Sequence, residues 1–344
     1  MKILVTGGTG YIGSHTVVEL QTKGHEVIVV DNLSNSHIDV LDHIKQITGI
    51  RPDFGKVDLA DFQKTQIFFQ DHPGIEAVIH FAAFKAVGES VEFPLMYYRN
   101  NLVSLMNVLE CMKSSAIREI VFSSSCTVYG QPDVLPVKET SPIKTAMSPY
   151  GNTKQISEEI IEDFSKVNDI RSILLRYFNP IGAHHSALIG ELPLGIPNNL
   201  VPYLTQTAIG KREVLRVWGN DYNTPDGTPI RDYIHVADIA RAHVIAVERM
   251  LQSGYDKKVE VFNLGTGCGY SVMEVINSFE KVSGIKLKYK VFSRRPGDIE
   301  KVWADTEYAN RVLGWKAEFD LDDMMRSAWN WEKALAGKDN NNQS

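Results

Sequence analysis

Tyr150 and Lys154 stand four residues apart in YGNTK, inside a helix-compatible pattern over 150–167, so both side chains emerge on one face. A phenol with a pKa near about 10 is a poor base at neutral pH, but a neighbouring ammonium favours its phenolate, and such a pair can move a proton on and off a hydroxyl. Ser125, in SSSCTVYG, follows the apolar run 120–122 and is expected at a strand's carboxyl end, where its hydroxyl can bond the same oxygen. A second constellation lies at the N-terminus. Gly7, Gly10 and Gly13 of TGGTGYIG follow the apolar run 3–5 and precede a helical pattern. A backbone of this kind can approach a pyrophosphate at a helix N-terminus, where any Cβ would hold the phosphates away. Asp31 ends the next apolar run, 18 residues beyond Gly13. A carboxylate there accepts hydrogen bonds from ribose hydroxyls and repels a 2′-phosphate, so the implied cofactor is NAD and not NADP.

These groups require a scaffold that lines up strand ends. Apolar runs at 3–5, 27–30, 77–81, 120–122 and 173–175 alternate with helical patterns at 14–23, 39–48, 62–70, 95–114 and 150–167. That alternation is the sequence form of an α/β, doubly wound parallel (Rossmann) sheet covered on both faces. Beyond Asn179, prolines at 180, 193, 197 and 202 and glycines at 182, 190 and 195 break the pattern, which puts a domain boundary near 180. The expected organisation is a cofactor-binding domain over 1–180, a smaller α/β substrate domain over 181–336 and a disordered tail over 337–344. The second domain is read as a helix at 202–210, a strand at 214–218, a helix at 236–252, a strand at 259–264, a helix opening at Ser271 in a capping box with Glu274, and a last helix at 321–335.

In the same crevice, beyond the carboxyl ends of strands, Asp58 and Leu59 are expected near the adenine, and Phe81, Ala82 and Lys85 near the pyrophosphate and nicotinamide ribose. Tyr11, Ile12 and Asn32 belong to the same lining.

Composition excludes several classes. The 344 residues are 43% apolar and 23% charged, enough for a sizeable core. A net charge of −6 gives no general attraction for nucleic acid or anionic lipid. Three cysteines, Cys111, Cys126 and Cys268, lack the spacing of a zinc site or disulfide framework, and neither a signal peptide nor a membrane span is visible, so a cytoplasmic protein is expected. His184, His185 and His235 invite a metal reading, but the adjacent pair lies in a loop without supporting ligands, and no metal is expected.

Together TGGTGYIG, Asp31, SSSCTVYG and YGNTK resemble the extended short-chain dehydrogenase/reductase family. HFAAFKAVGES, RYFNPIGAH, GIPNNLVPY, GNDYNTPDGTPIRDYIHV and RRPGD followed by WAD extend the likeness over almost the whole chain to the UDP-galactose 4-epimerase family. The resemblance implies that Tyr150 takes the proton of a sugar 4-hydroxyl while hydride passes to NAD, with Ser125 on that oxygen and Lys154 lowering the tyrosine pKa and holding the nicotinamide ribose, so that Tyr150 and Lys154 also belong to the cofactor site. The 4-keto sugar then turns over and regains hydride on its other face. It implies cofactor contacts from Asn100 and Phe178, and UDP-sugar contacts from Asn179, Asn199, Leu200, Trp218, Arg231, Tyr233, Arg295 and Asp298. Val302, just before WAD, would border the sugar's C2 substituent, and its small size implies that UDP-GlcNAc and UDP-GalNAc fit as well. A homodimer is expected from the apolar 95–114 pattern, the 150–167 helix and the family habit.

Two other readings stay open from sequence. A nucleotide-sugar dehydratase or decarboxylase shares the first oxidation, but Cys126 and Thr127 stand where a dehydratase of this scaffold carries an Asp-Glu pair. A non-catalytic NAD-binding sensor would keep the fold without the tyrosine and lysine.

Overall fold

The computed structural model describes residues 1–295 and 299–341, with side chains described as far as residue 337. In chain order the first part is β1 (Lys2–Thr6), α1 (Tyr11–Thr22), β2 (Glu26–Asp31), α2 (Val40–Thr48), β3 (Asp53–Lys56), α3 (Phe62–Asp71) and β4 (Ala77–His80). Next come α4 (Val87–Glu92), α5 (Pro94–Tyr98), α6 (Ser104–Ser114), β5 (Glu119–Ser125), α7 (Pro149–Val167), β6 (Arg171–Tyr177) and β7 (Asn179–Ile181). The remainder is α8 (Leu200–Ala208), β8 (Leu215–Trp218), β9 (Ile230–Arg231), β10 (Tyr233–His235), α9 (Val236–Leu251), β11 (Val259–Leu264), β12 (Tyr270–Ser271), α10 (Val272–Ser283), β13 (Tyr289–Phe292), β14 (Lys301–Val302) and α11 (Leu321–Asn341).

Seven strands form one parallel sheet in the order β3-β2-β1-β4-β5-β6-β11. Its direction of winding reverses between β1 and β4, so the crevice for a ligand opens beyond their carboxyl ends. Alternation along each strand feeds two cores. Ile3, Val5, Val29, Ile79 and Val121 are buried with Val17 and Leu20 of α1 and Ile239 of α9. Leu4, Ile28, Val30, Val78 and Ile120 are buried with Phe68 of α3, Val108 of α6 and Ile161 of α7. Period-2 strands with both faces apolar are what a sheet covered on both sides demands.

The boundary expected near 180 does not separate the chain cleanly. Helix α9 and strand β11, read from sequence as parts of the second domain, return to the first: β11 pairs with β6 from Val259↔Ser172 to Leu264↔Tyr177, and α9 shares a core with α1. What remains outside the sheet is a smaller cluster built from α8, β8, α10 and α11, with Leu204, Val217, Phe279, Met325 and Trp329 at its centre. The capping box of Ser271 and Glu274 forms as expected.

Two further expectations change. The 95–114 segment is not one helix, because a π-helical turn at Arg99–Val103 separates α5 from α6. The extra residue turns Asn101 inward, where its amide accepts from Phe84 N at 2.8 Å, donates to Phe84 O at 3.1 Å and reaches Thr153 on α7. The tail expected to be disordered from 337 continues α11 to Asn341, and its last three residues lie outside the described ones.

Candidate active site

The glycine turn after β1 has the geometry that a phosphate cradle needs. Gly7 adopts φ +68°, and a Cβ there would sit 2.9 Å from Ala82 N. A Cβ on Gly13 would lie 2.2 Å from Gly7 O, so the first turn of α1 can stack on the loop only as glycine. Gly10 caps α1 in extended conformation, and no acidic side chain occupies the helix's first turn, leaving its N-terminal amides directed into the crevice. Tyr11 directs its hydroxyl away to Gly182 O at 2.6 Å, and Ile12 packs on the sheet core.

Asp31 closes β2 and is buried. Its Oδ1 accepts from Leu33 N at 2.9 Å, and its Oδ2 faces Thr9 N at 3.3 Å, so the carboxylate is fixed at the lip of the glycine loop. Asn32 turns back onto Ser34 N. Asp58 accepts from Ala60 N at 3.0 Å in the turn after β3, while Leu59 is buried in the core below and fixes α6 by its carbonyl, which takes Asn107 Nδ2 at 2.8 Å. Phe81 packs 4.5 Å from the His243 ring, and Ala82 N bonds the Thr6 hydroxyl at 3.3 Å. Asn100 donates to Asn101 within the π turn.

The reacting groups converge at the end of β5. Ser148 caps α7 through Gly151 N at 3.1 Å, and Pro149 opens the helix, which sets Tyr150 in its first turn. Tyr150 is buried near Ser125, whose hydroxyl favours its phenolate. Lys154, one turn on, is 4% exposed; its Nζ donates to Ser123 O at 2.6 Å and lies 4.8 Å from the Phe122 ring. The electrostatics of the protein alone act against the charged form of each member of the pair. Burial raises the Tyr150 pKa far above its ordinary value, the neighbouring Tyr177 and Cys126 add to that, and only the Ser125 hydroxyl opposes. Lys154 itself is pushed down to about 8 by burial, with Glu158 pulling the other way. The ammonium lies 6.0 Å from the Tyr150 ring centroid and is directed at the Ser123 carbonyl, so in the protein alone desolvation outweighs its help to the phenolate.

On the other wall, β7 pairs with β10 so that Asn179 stands opposite Tyr233, and β14 pairs with β9 so that Val302 stands opposite Arg231. Between them, the buried Asp232 accepts from Thr266 N at 2.8 Å and from Gly267 N and Ala304 N at 3.1 Å each, tying three segments together. Phe178 and Val302 share a small apolar cluster with Val128, Tyr129 and Ala304. The Arg295 guanidinium lies 4.9 Å over the Trp218 ring, which also tilts on Phe292 at 5.3 Å. Asn199 begins α8 without capping it and donates to Glu191 at 2.7 Å; Lys85 meets the same carboxylate at 3.1 Å. Leu200 packs into the smaller core. Asp298 lies outside the described residues.

Of the histidines once weighed as ligands, His235 caps α9 and bonds Ser327, and His184 accepts from Ser186 N. Among the described residues no group of three or more His, Cys, Asp or Glu side chains could hold a metal. Sequence reasoning missed Glu158, Arg176, Tyr177, Glu191 and Asp232. Glu158 was accessible as the next rung of the Tyr150–Lys154 stripe, and Asp232 as the acid between two expected contacts; nothing local marked Glu191.

Comparison with known proteins narrows what this arrangement belongs to. The family described as GDP-mannose 4,6 dehydratase matches residues 4–328. A UDP-glucose 4-epimerase of Bacillus subtilis is 51% identical over 335 residues, covering 97% of each chain. Among solved structures, a UDP-glucose 4-epimerase from Stenotrophomonas maltophila with bound NAD and formylated UDP-arabinopyranose has a TM-score of 0.94 and 46% identity, covering 98% of this chain and 99% of that one. One from Bifidobacterium longum in complex with NAD+ and UDP has a TM-score of 0.93 and 46% identity at the same coverage. With likeness in sequence and backbone running through the glycine turn, the Tyr150 helix and the second unit alike, the chain belongs to the UDP-glucose 4-epimerase family.

Proposed function

We propose that this protein interconverts UDP-galactose and UDP-glucose with tightly held NAD. The observation that carries the reading is the buried meeting of Tyr150 and Ser125 at the end of β5, with Lys154 one turn away and the glycine turn and Asp31 at the ends of β1 and β2 in the same sheet. The residues fit the cofactor: the Gly7–Gly13 cradle has no room for a Cβ, and the Asp31 carboxylate stands where ribose hydroxyls would meet it. NAD, when bound, supplies a hydride acceptor that returns what it takes.

Each side chain then has one task. Tyr150 takes the proton of the sugar 4-hydroxyl and later gives it back, and Ser125 holds that oxygen. Lys154 supplies positive charge beside the phenol in a site that excludes water. Because burial alone raises the tyrosine pKa, the base works through the added positive charge of Lys154 and the nicotinamide. Arg231 and Arg295 suit a diphosphate, since guanidinium offers planar forks of donors, and Asn179, Asn199, Leu200, Tyr233, Trp218 and Asp298 complete the UDP-sugar site.

The test is incubation with UDP-galactose without added NAD. Appearance of UDP-glucose by NMR is expected; elimination of water or loss of CO2 would establish a dehydratase or decarboxylase, and no turnover a sensor.

Assembly and location follow from surface chemistry. Val87, Val91, Phe93, Leu95, Met96 and Met106 are exposed along α4–α6, and we assign this apolar stripe to a second copy of the chain. Sedimentation equilibrium giving a monomer would refute it. No helix among the described residues is long and apolar enough to cross a membrane, and free cysteines suit a reducing cytoplasm.

A further inference from the structure

Three consecutive serines end β5, and successive rungs of α7 hold each of them. The Ser125 hydroxyl meets Tyr150, the Ser123 carbonyl takes Lys154 Nζ at 2.6 Å, and the Ser124 hydroxyl donates to Glu158. Tyr150, Lys154 and Glu158 follow one another at i, i+4 and i+8, so one face of the helix reads one strand end. Glu158 is 5% exposed and takes two further bonds from Arg176, Nε at 2.9 Å and Nη2 at 2.6 Å. Arg176 stands opposite Ser124 in the β5–β6 register and continues to the Tyr129 hydroxyl at 3.0 Å, which donates to Asn263 at 2.7 Å.

A buried carboxylate needs a reason, and the surroundings of Lys154 provide one. On its own helix it has Tyr150 and Glu158; on β5, the Ser123 carbonyl and the Phe122 face. On β4 it has His80, held neutral with a pKa of about 3 by burial and by the lysine charge. On β6 stand Arg176 and Tyr177, whose pKa is raised to about 12. Cys126, after β5, is likewise raised to about 12, and Tyr97 of α5 is raised further still. Glu89 of α4 directs its carboxylate to the Tyr97 hydroxyl at 2.6 Å. Glu158, one helical turn on, is therefore the carboxylate whose charge acts on the buried ammonium and favours its charged form.

We propose that Glu158 is a positioning residue for the reaction: its carboxylate sets α7 in register on the serine end of β5 and supplies the counter-charge that keeps Lys154 an ammonium inside the dry site. This rests on the reading of Tyr150 and Lys154 as the reacting pair.

The test separates electrostatics from packing by breaking the same ion pair from each side. Protein carrying 13C-labelled lysine, its cofactor content measured, is titrated by NMR, and the Lys154 Cε signal is identified by its loss in Lys154→Met. Glu158→Gln should lower the Lys154 midpoint by about one pH unit or more, because an opposing charge at this range shifts a pKa by roughly one to three units. Arg176→Met should raise it, since the freed carboxylate then acts on the lysine alone. In Glu158→Gln, kcat at pH 8 should fall roughly fivefold with KM unchanged, the fraction of Lys154 in its charged form dropping with its midpoint. Glu158→Asp should restore most of it. A Lys154 midpoint that stays put in both variants while their thermal midpoints fall would reduce Glu158 to a structural role and overturn the proposal. Lys154→Met with undiminished turnover would overturn the reading of the reacting pair itself, a result separate from an unmoved titration in a protein that needs Lys154.

Discussion

Replacing Tyr150 by Phe removes one hydroxyl from a side chain that is otherwise buried, so its consequences for chemistry and for folding can be separated. The phenol lies near the Ser125 hydroxyl, and Ser125 accepts from Thr127 N at 3.2 Å, so its oxygen is not stranded when the phenol is removed. The stability change is then at most that of one buried hydrogen bond, about 0.5–1.5 kcal/mol. The chemical change is larger. General-base catalysis is worth about 10² to 10⁴ in rate, which is about 3–5 kcal/mol of barrier. The expected UDP contacts, among them Asn179, Arg231 and Tyr233, sit on β7, β9 and β10, whose pairing the ring does not enter, so KM should hold. The assay is steady-state epimerisation of UDP-galactose with kcat and KM resolved, beside thermal unfolding. A variant keeping more than about a tenth of wild-type kcat would refute Tyr150 as base. So would a loss confined to KM, since that would mark the phenol as a binding group.

Gly7→Ala should yield protein without bound NAD that still binds UDP, because the residue adopts φ +68° and its Cβ would press on Ala82 N; cofactor content by absorbance checks it, and normal NAD retention would contradict the cradle. Acid should destabilise the fold well above the carboxylate range. His15 and His80 are held near a pKa of about 3, and His184, His235 and His243 near about 4, all chiefly by burial. Their pKa values are lower folded than unfolded, so the unfolded chain binds more protons below pH 6.5, and stability falls from there toward pH 4, by up to about 7 kcal/mol per pH unit for five groups. Urea unfolding at pH 7, 6 and 5 measures this, and equal stability at the three would refute it. Val302→Tyr should suppress turnover of UDP-GalNAc while sparing UDP-galactose, because Val302 stands opposite Arg231 and packs on Phe178; equal loss for both sugars, or a wild type inactive on UDP-GalNAc, would deny it a role as gate.

The sheet and the cofactor turn were legible because their signals are local. A strand buried on both faces is a run of branched apolar residues, and a Cβ-free turn must be glycine whatever surrounds it. The seam between the two units was not legible in the same way. Strand β11 carries the same kind of run as β5, and only its hydrogen bonds to β6 show that it closes the first sheet and leaves the second unit without it. The break between α5 and α6 depends on what Asn101 reaches across the fold, Phe84 and Thr153, which no helical periodicity contains. Leu59 and Leu200 show the converse: both were read as lining, and both side chains pack into a core.

The electrostatics of the site explain why a motif of two residues is insufficient as a description of it. Spacing four apart on a helix brings Tyr150 and Lys154 to one face, but burial then acts against the charged form of each, raising the phenol and lowering the amine. A proton-transfer pair that must be dry to be effective is thus driven toward its inactive neutral state by the same dryness. The fold offsets this from outside the motif: the Ser125 hydroxyl favours the phenolate, the Ser123 carbonyl and Glu158 favour the ammonium, and Arg176 holds the Glu158 carboxylate through two hydrogen bonds. Those four groups come from β5, α7 and β6, so the working protonation states belong to the sheet and helix together, and any substitution that slips α7 along β5 by one rung removes all three serine contacts at once.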